Sequence, residues 1–244
     1  GSSLFIELLP RYLASLCASA HAPLTIGIAS TLRACLFESR PIERGSGMEA
    51  LVSDASNAIR ANDEAALRDA IRRGADVNGM VPCRSLIQGR STGAPSGHFP
   101  LLNLAASKGL AWICEILLAE GADASIGSTT NGGRALHQAA CYGSTACVRL
   151  LLRAGADVNT RANSGATPLH IVSEYGRVDA AKVLLRAGAN LEARNQKADT
   201  PLRIAIFEGH REVALTLLRA GAAVTVLRAA WIKPKNKALH DYMV

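Results

Sequence analysis

Along most of the chain, short apolar stretches come in pairs. In each pair, about two turns of small and apolar residues end at a glycine or asparagine, and a second helical-period stretch ends at another glycine. Thr167-Pro-Leu-His-Ile-Val-Ser-Glu-Tyr-Gly176 is the first half of one pair. Arg177 to Ala187 is the second, with Val178, Ala181, Val183 and Leu184 on one helical face. Thr167 or Ser53 can cap a first helix, and Pro168 or Pro201 fits its first turn, where a missing N–H costs nothing. The closing Gly or Asn can take the positive φ that a helix stop requires.

The pairing is periodic. Gly-Ala-Asp or a near variant starts at Gly74, Gly121, Gly155, Gly188 and Gly221, at intervals of 47, 34, 33 and 33. Asn62, Gly109, Gly143, Gly176 and Gly209 stand 12 residues before them; Ser53, Pro100, Arg134, Thr167 and Thr200 stand nine residues earlier still. The pattern predicts an all-α solenoid of about five helix–turn–helix repeats. One such unit cannot bury its apolar face alone, whereas stacked neighbours can.

These residues resemble the ankyrin-repeat family. Thr167-Pro-Leu-His170 and Thr200-Pro-Leu-Arg203 match its signature tetrapeptide, with Arg134-Ala-Leu-His137 and Pro100-Leu-Leu-Asn103 as weaker copies. Gly-Ala-Asp-Val-Asn at 74–78 and 155–159 matches its loop, and the resemblance covers about Met48 to Val224. It implies short β-hairpin loops, or fingers, which with the inner helices form a concave protein-binding surface. It implies no catalysis and no cofactor. It also implies that His137 and His170 hydrogen-bond within the loop framework. Cys114 and Cys147 read as small buried hydrophobes on the inward face of second helices.

The repeats depart from the pattern at both ends and once inside. The first unit is polar enough to be a capping repeat. Between Asn78 and Pro100 there are 14 residues more than between Asn159 and Thr167. This insertion, 79–99, is expected to be a long finger or a mobile loop. After Gly221 the pattern decays into a C-terminal cap at 225–244, with a closing helix over Lys235 to Met243 and Trp231 against the last repeat.

The first 44 residues do not fit the repeat. Leu9, Leu13, Leu16, Cys17 and Ala20 share one helical face, and Ile28, Leu32, Cys35 and Leu36 share another. Gly1-Ser2 reads as a tag remnant, Gly45-Ser46-Gly47 as a flexible linker and Met48 as a natural start. Residues 3–44 are therefore expected to be a helical partner segment fused to the 48–244 repeat domain. A native helical cap is the alternative, and a transit peptide a third reading opposed by Glu7, Glu38 and Glu43. Two amphipathic helices this short expose more apolar surface than they bury, so they should dock in a groove.

Composition narrows the function. The 244 residues are 49% hydrophobic but only 4% aromatic, which suits thin stacked helices. The net charge of +7 lacks dense Lys/Arg clustering, and Arg228, Lys233, Lys235 and Lys237 make only a small patch, so nucleic acid is not the expected partner. Six cysteines form no C-x-x-C and no metal spacing with His, favouring a reducing compartment, cytoplasmic or nuclear. No apolar run reaches 18 residues, which argues against a membrane span. No phosphate loop or nucleophile motif appears, so neither an enzyme nor a small-molecule substrate is expected.

The expected function is a non-catalytic adaptor or scaffold that captures a helical segment of a protein partner, the 3–44 stretch being one candidate. A dedicated chaperone for such a segment and a substrate-recruiting subunit of a larger enzyme are the alternatives. The two residues before each turn glycine build two ladders. One holds Ser107, Cys141, Glu174 and Phe207; the other holds Lys108, Tyr142, Tyr175 and Glu208. The resemblance implies that both face the groove, and Tyr suits binding surfaces because it combines apolar area with a hydroxyl. Finger tips supply a second candidate row: Thr130, Asn131, Asn163, Ser164, Gln196, Lys197 and Asp199.

Overall fold

The computed structural model describes residues 46–83, 86–87, 90–91 and 97–223. The helices expected within 1–44 and the closing segment 225–244, with Trp231, lie outside them. Helices α1 (Ser46–Ala61) and α2 (Glu64–Arg72) form the first pair. Then come α3 (Leu101–Ser107) and α4 (Ala111–Ala119), α5 (Ala135–Tyr142) and α6 (Thr145–Arg153), α7 (Pro168–Tyr175) and α8 (Val178–Arg186), and α9 (Pro201–Glu208) and α10 (Arg211–Arg219). The inner helices α3, α5, α7 and α9 stack side by side, as do the outer helices α4, α6, α8 and α10.

Burial follows the repeat. Leu102, Leu136, Leu169 and Leu202 form one buried row, and Leu117, Leu151, Leu184 and Leu217 another. Between inner helices, Ala105, Ala139, Val172 and Ala205 are fully enclosed. Small side chains there let neighbouring helices approach closely, while each buried Leu contributes about 1.5–3 kcal/mol. Turn residues stop every inner helix with positive φ, at Gly109, Gly143, Gly176 and Gly209, and at Asn62 with φ 59.

The start of the first repeat differs from the sequence expectation. Ser53 does not cap a helix; it lies inside the 16-residue α1, where its carbonyl accepts the Ser56 hydroxyl at 3.0 Å. Met48 to Val52 contain no breaker, so the helix extends upstream. Ser46 and Gly47, expected as linker, are its first two residues.

The described residues of the 79–99 insertion form antiparallel strand pairs. Strand β1 (Met80–Cys83) pairs antiparallel with β4 (Gly97–Pro100), with Val81 opposite Phe99. Beyond them β2 (Leu86–Ile87) pairs with β3 (Arg90–Ser91). The later fingers are too short for a ladder and contain no strand. Each is closed by a backbone bond, Ser128 N–H to Gly133 O at 2.9 Å, Ala162 N–H to Ala166 O at 2.9 Å and Asn195 N–H to Asp199 O at 3.1 Å.

Candidate protein-binding face

Three sets of polar bonds fasten successive repeats and so position the ladders. The first lies at the start of the inner helices. His137 Nδ1 accepts the Arg134 N–H at 3.2 Å, and His170 Nδ1 accepts the Thr167 N–H at 3.1 Å. Their Nε2 atoms reach forward to the carbonyls of Ala166 at 3.1 Å and Asp199 at 3.0 Å in the next finger. Asn103 does the same through Nδ2 to Gly133 O at 2.8 Å. Burial pushes both imidazoles down to about 4, so they are neutral at pH 7.

The second set is in the Gly-Ala-Asp loops. Asp76, Asp123 and Asp157 each accept the N–H two residues on, at 2.9, 2.7 and 2.9 Å. Asn78 and Asn159 then accept the N–H groups of Asp123 and Asn190 in the following repeat, both at 2.8 Å. Glu192 takes the same role toward Ala223 N–H at 2.7 Å.

The third set lies under the ladders themselves. Arg177 Nε donates to Cys141 O at 3.0 Å, and His210 Nε2 to Glu174 O at 2.9 Å, completing carbonyls that the helix ends leave without intrahelical partners. Glycine is needed below them for space as well as for φ. A Cβ on Gly143 would lie 2.8 Å from Arg177 Cδ, and one on Gly176 would lie 2.6 Å from His210 Nδ1. Sequence reasoning missed this device. The position after the turn glycine holds Ser144, Arg177 and His210 in successive repeats, so no shared residue type signals it.

The ladders end the inner helices. Tyr142 is 47% exposed and Phe207 44%; with Met80 they are the large exposed hydrophobics among the described residues. Lys108 and Glu174 are exposed, whereas Ser107, Cys141, Tyr175 and Glu208 are half-buried. Tyr175 lies close to the Cys141 thiol. Burial, reinforced by Cys141, Glu174 and Tyr142, pushes its hydroxyl up to about 12. Burial raises the Cys141 thiol as well. An open hollow of about 320 Å³ adjoins the strip, lined by Tyr142, Gly143, Gly176, Arg177 and Asp179 among others.

The finger tips are brought into a row but bond mainly to one another. Thr130, Asn131, Asn163, Ser164, Gln196 and Lys197 are exposed. Asn163 N–H donates to Asn131 O at 2.9 Å, Gln196 N–H to Ser164 O at 2.9 Å, and Gln196 Nε2 to Asn163 O at 2.7 Å. Asp199 is not a tip group: its carboxylate is largely buried and ion-paired with Arg203 one helical turn on. Among the described residues no cluster of His, Cys, Asp and Glu could hold a metal ion, and no helix is long and apolar enough to cross a membrane.

A family model of ankyrin repeats, in three overlapping copies, matches residues 55–162, 102–195 and 136–227. The chain belongs to the ankyrin-repeat family. Ankyrin repeats are protein–protein interaction modules and typically non-catalytic, which implies a protein partner for this chain. No curated protein matches the chain.

Proposed function

We propose that the ankyrin repeats capture an amphipathic helical segment of a protein partner across the ladder ends of α3, α5, α7 and α9. The observation that supports this most is the exposure of Tyr142 and Phe207 at equivalent helix ends two repeats apart, with Tyr175 between them. Neighbouring helices stack roughly 8–10 Å apart. The strip from Tyr142 to Phe207 therefore spans on the order of 20 Å, which about 13 residues of helix would match. Apolar anchors at i, i+3, i+4 and i+7 on that helix would meet the aromatic side chains in turn. By its apolar periodicity, the 3–44 stretch is one candidate for the captured segment.

The test places a photo-cross-linking amino acid at Tyr142 in the full chain. Cross-links mapped to 3–44 in the monomer, and lost when Leu13 and Leu16 are changed to Asp, support capture of that segment. If no cross-link forms to 3–44 within the monomer, that segment is not the occupant. Tyr142→Ala with Phe207→Ala should weaken capture by about 2 kcal/mol or more, and an unchanged cross-linking yield from a neighbouring probe site would sink the aromatic strip.

A further inference from the structure

The outer helices α6, α8 and α10 end alike. Each closes on an exposed arginine, Arg153, Arg186 or Arg219, and an exposed alanine and glycine follow. Because these helices stack in order, the three arginines form a row along one edge of the repeats. A cation at a helix C-terminus is favoured by the helix dipole, but the dipole does not account for the row. Helix α4 has the same dipole, yet it carries no basic residue in its last turn and is followed by Glu120. At the end of α2 the neighbouring Arg73 is held by Asp54 at 3.6 Å and Asp69 at 3.5 Å. Arg153, Arg186 and Arg219 are ion-paired to no described residue.

The balancing acid falls away along the same row. The aspartate of the Gly-Ala-Asp loop is kept as Asp157 after Arg153, but it is Asn190 after Arg186 and Ala223 after Arg219. The chain beyond Ala223 adds Arg228, Lys233, Lys235 and Lys237 against one acidic side chain, Asp241. Beside the arginines the surface is open. Gly155, Gly188 and Gly221 hold positive φ, and a Cβ on any of them would meet nothing within 4 Å.

We infer that this edge docks an extended acidic segment of a protein partner, with a carboxylate at every third residue. Neighbouring helices stack roughly 8–10 Å apart, which sets the interval between arginines. A polyproline-II segment has three residues per turn and rises about 3.1 Å per residue, so it returns a side chain to one face every 9 Å or so, about the interval between arginines. A β-strand puts residues three apart on opposite faces. The open Ala-Gly shelf lets the backbone of the segment come close, and each guanidinium offers a carboxylate two parallel N–H donors. Duplex nucleic acid carries a charge about every 1.7 Å along its axis, far denser than this row. The edge lies the length of an outer helix from the ladder ends, about 13 Å for nine residues. It is therefore a second surface, and it does not rest on the proposed function.

The test uses the full chain and a fluorescein-labelled peptide of Glu-Pro-Ser repeats, with binding followed by anisotropy in low salt. Arg153→Glu, Arg186→Glu and Arg219→Glu together should weaken saturable binding about tenfold or more, and added salt should weaken it in the parent chain. The same three arginines changed to Gln should weaken it less but in the same direction. Circular dichroism checks that both variants fold. Reversal at Arg68, Arg161 and Arg194, exposed cations elsewhere, changes the net charge equally and should leave binding within about twofold. Failure of the peptide to bind, or an equal loss in this control, would overturn the inference. So would equal binding of a peptide of the same composition with its glutamates gathered at one end. Binding of phosphatidylserine vesicles or duplex DNA that depends on the three arginines, without binding of the peptide, would assign the edge to another class of partner and overturn it too.

Discussion

Lowering the pH from 7 to 5 should destabilise the repeats through His137 and His170. Both are buried, and burial holds both near 4 in the folded chain, against an ordinary value of 6.5. Between these values the unfolded chain binds a proton that the folded chain refuses, so stability falls with pH from about 6.5 and levels off below about 4. At 1.36 kcal/mol per unit, each histidine contributes a loss of about 2 kcal/mol at pH 5, about 4 kcal/mol together. That is a large share of the 5–15 kcal/mol typical of a domain. In urea the unfolding midpoint should drop by roughly 1–2 M between pH 7 and pH 5. The control comes from the protein itself. Asn103 occupies the equivalent place in the second repeat and still donates to the next finger, at 2.8 Å. Changing both histidines to Asn should cost about 1 kcal/mol each at pH 7, for the lost Nδ1 acceptors, yet remove most of the pH dependence. A wild-type midpoint that holds at pH 5, or a double variant that loses as much as wild type, would refute the reasoning.

Two further substitutions test the turns. Gly132 and Gly165 hold the finger turns with φ 64 and 74, but Ala198 stands at the equivalent place with φ 60. Ala198→Gly should stabilise the protein by about 1 kcal/mol in urea unfolding, despite the added freedom of glycine in the unfolded chain; a destabilised variant would show that no strain is held there. Gly176 and Gly188 both have positive φ, but a Cβ would strike His210 at the first and meet nothing within 4 Å at the second. Gly188→Ala should cost about 1 kcal/mol and Gly176→Ala at least twice that, and equal losses would mean that the His210 contact is slack.

The repeats were legible because their polar chemistry is repeated. A Gly-Ala-Asp loop needs its glycine for φ and its aspartate for the N–H two residues on, so the same letters return at the same spacing. The tetrapeptide histidines were legible for the same reason. Ser53 misled because it keeps the spacing of a cap, while the residues before it favour helix and carry α1 past it. Asp199 looked like a fingertip charge, but Arg203, four residues on, lies within helical reach and takes its carboxylate. The bonds of Arg177 and His210 to the previous repeat could not be read in advance. Their position varies in residue type, and only stacking brings it over the preceding turn. Exposure of Tyr142 and Phe207, with Tyr175 partly covered between them, also depends on that stacking.

The fastenings between repeats set a rule for how such a protein can grow. His170 needs a carbonyl 29 residues ahead, and Asn159 a backbone N–H 31 residues ahead. A duplicated stretch of whole repeats carries both halves of every clasp and adds itself without redesign. A copy longer or shorter by a few residues within the helical layers would leave a stranded group on each side of the seam. Odd lengths can be absorbed only where the chain supplies its own mate, as the paired strands of the 79–99 insertion do. Gene-level changes in this chain should therefore fall into two kinds, whole units along the stack and free lengths at the fingers.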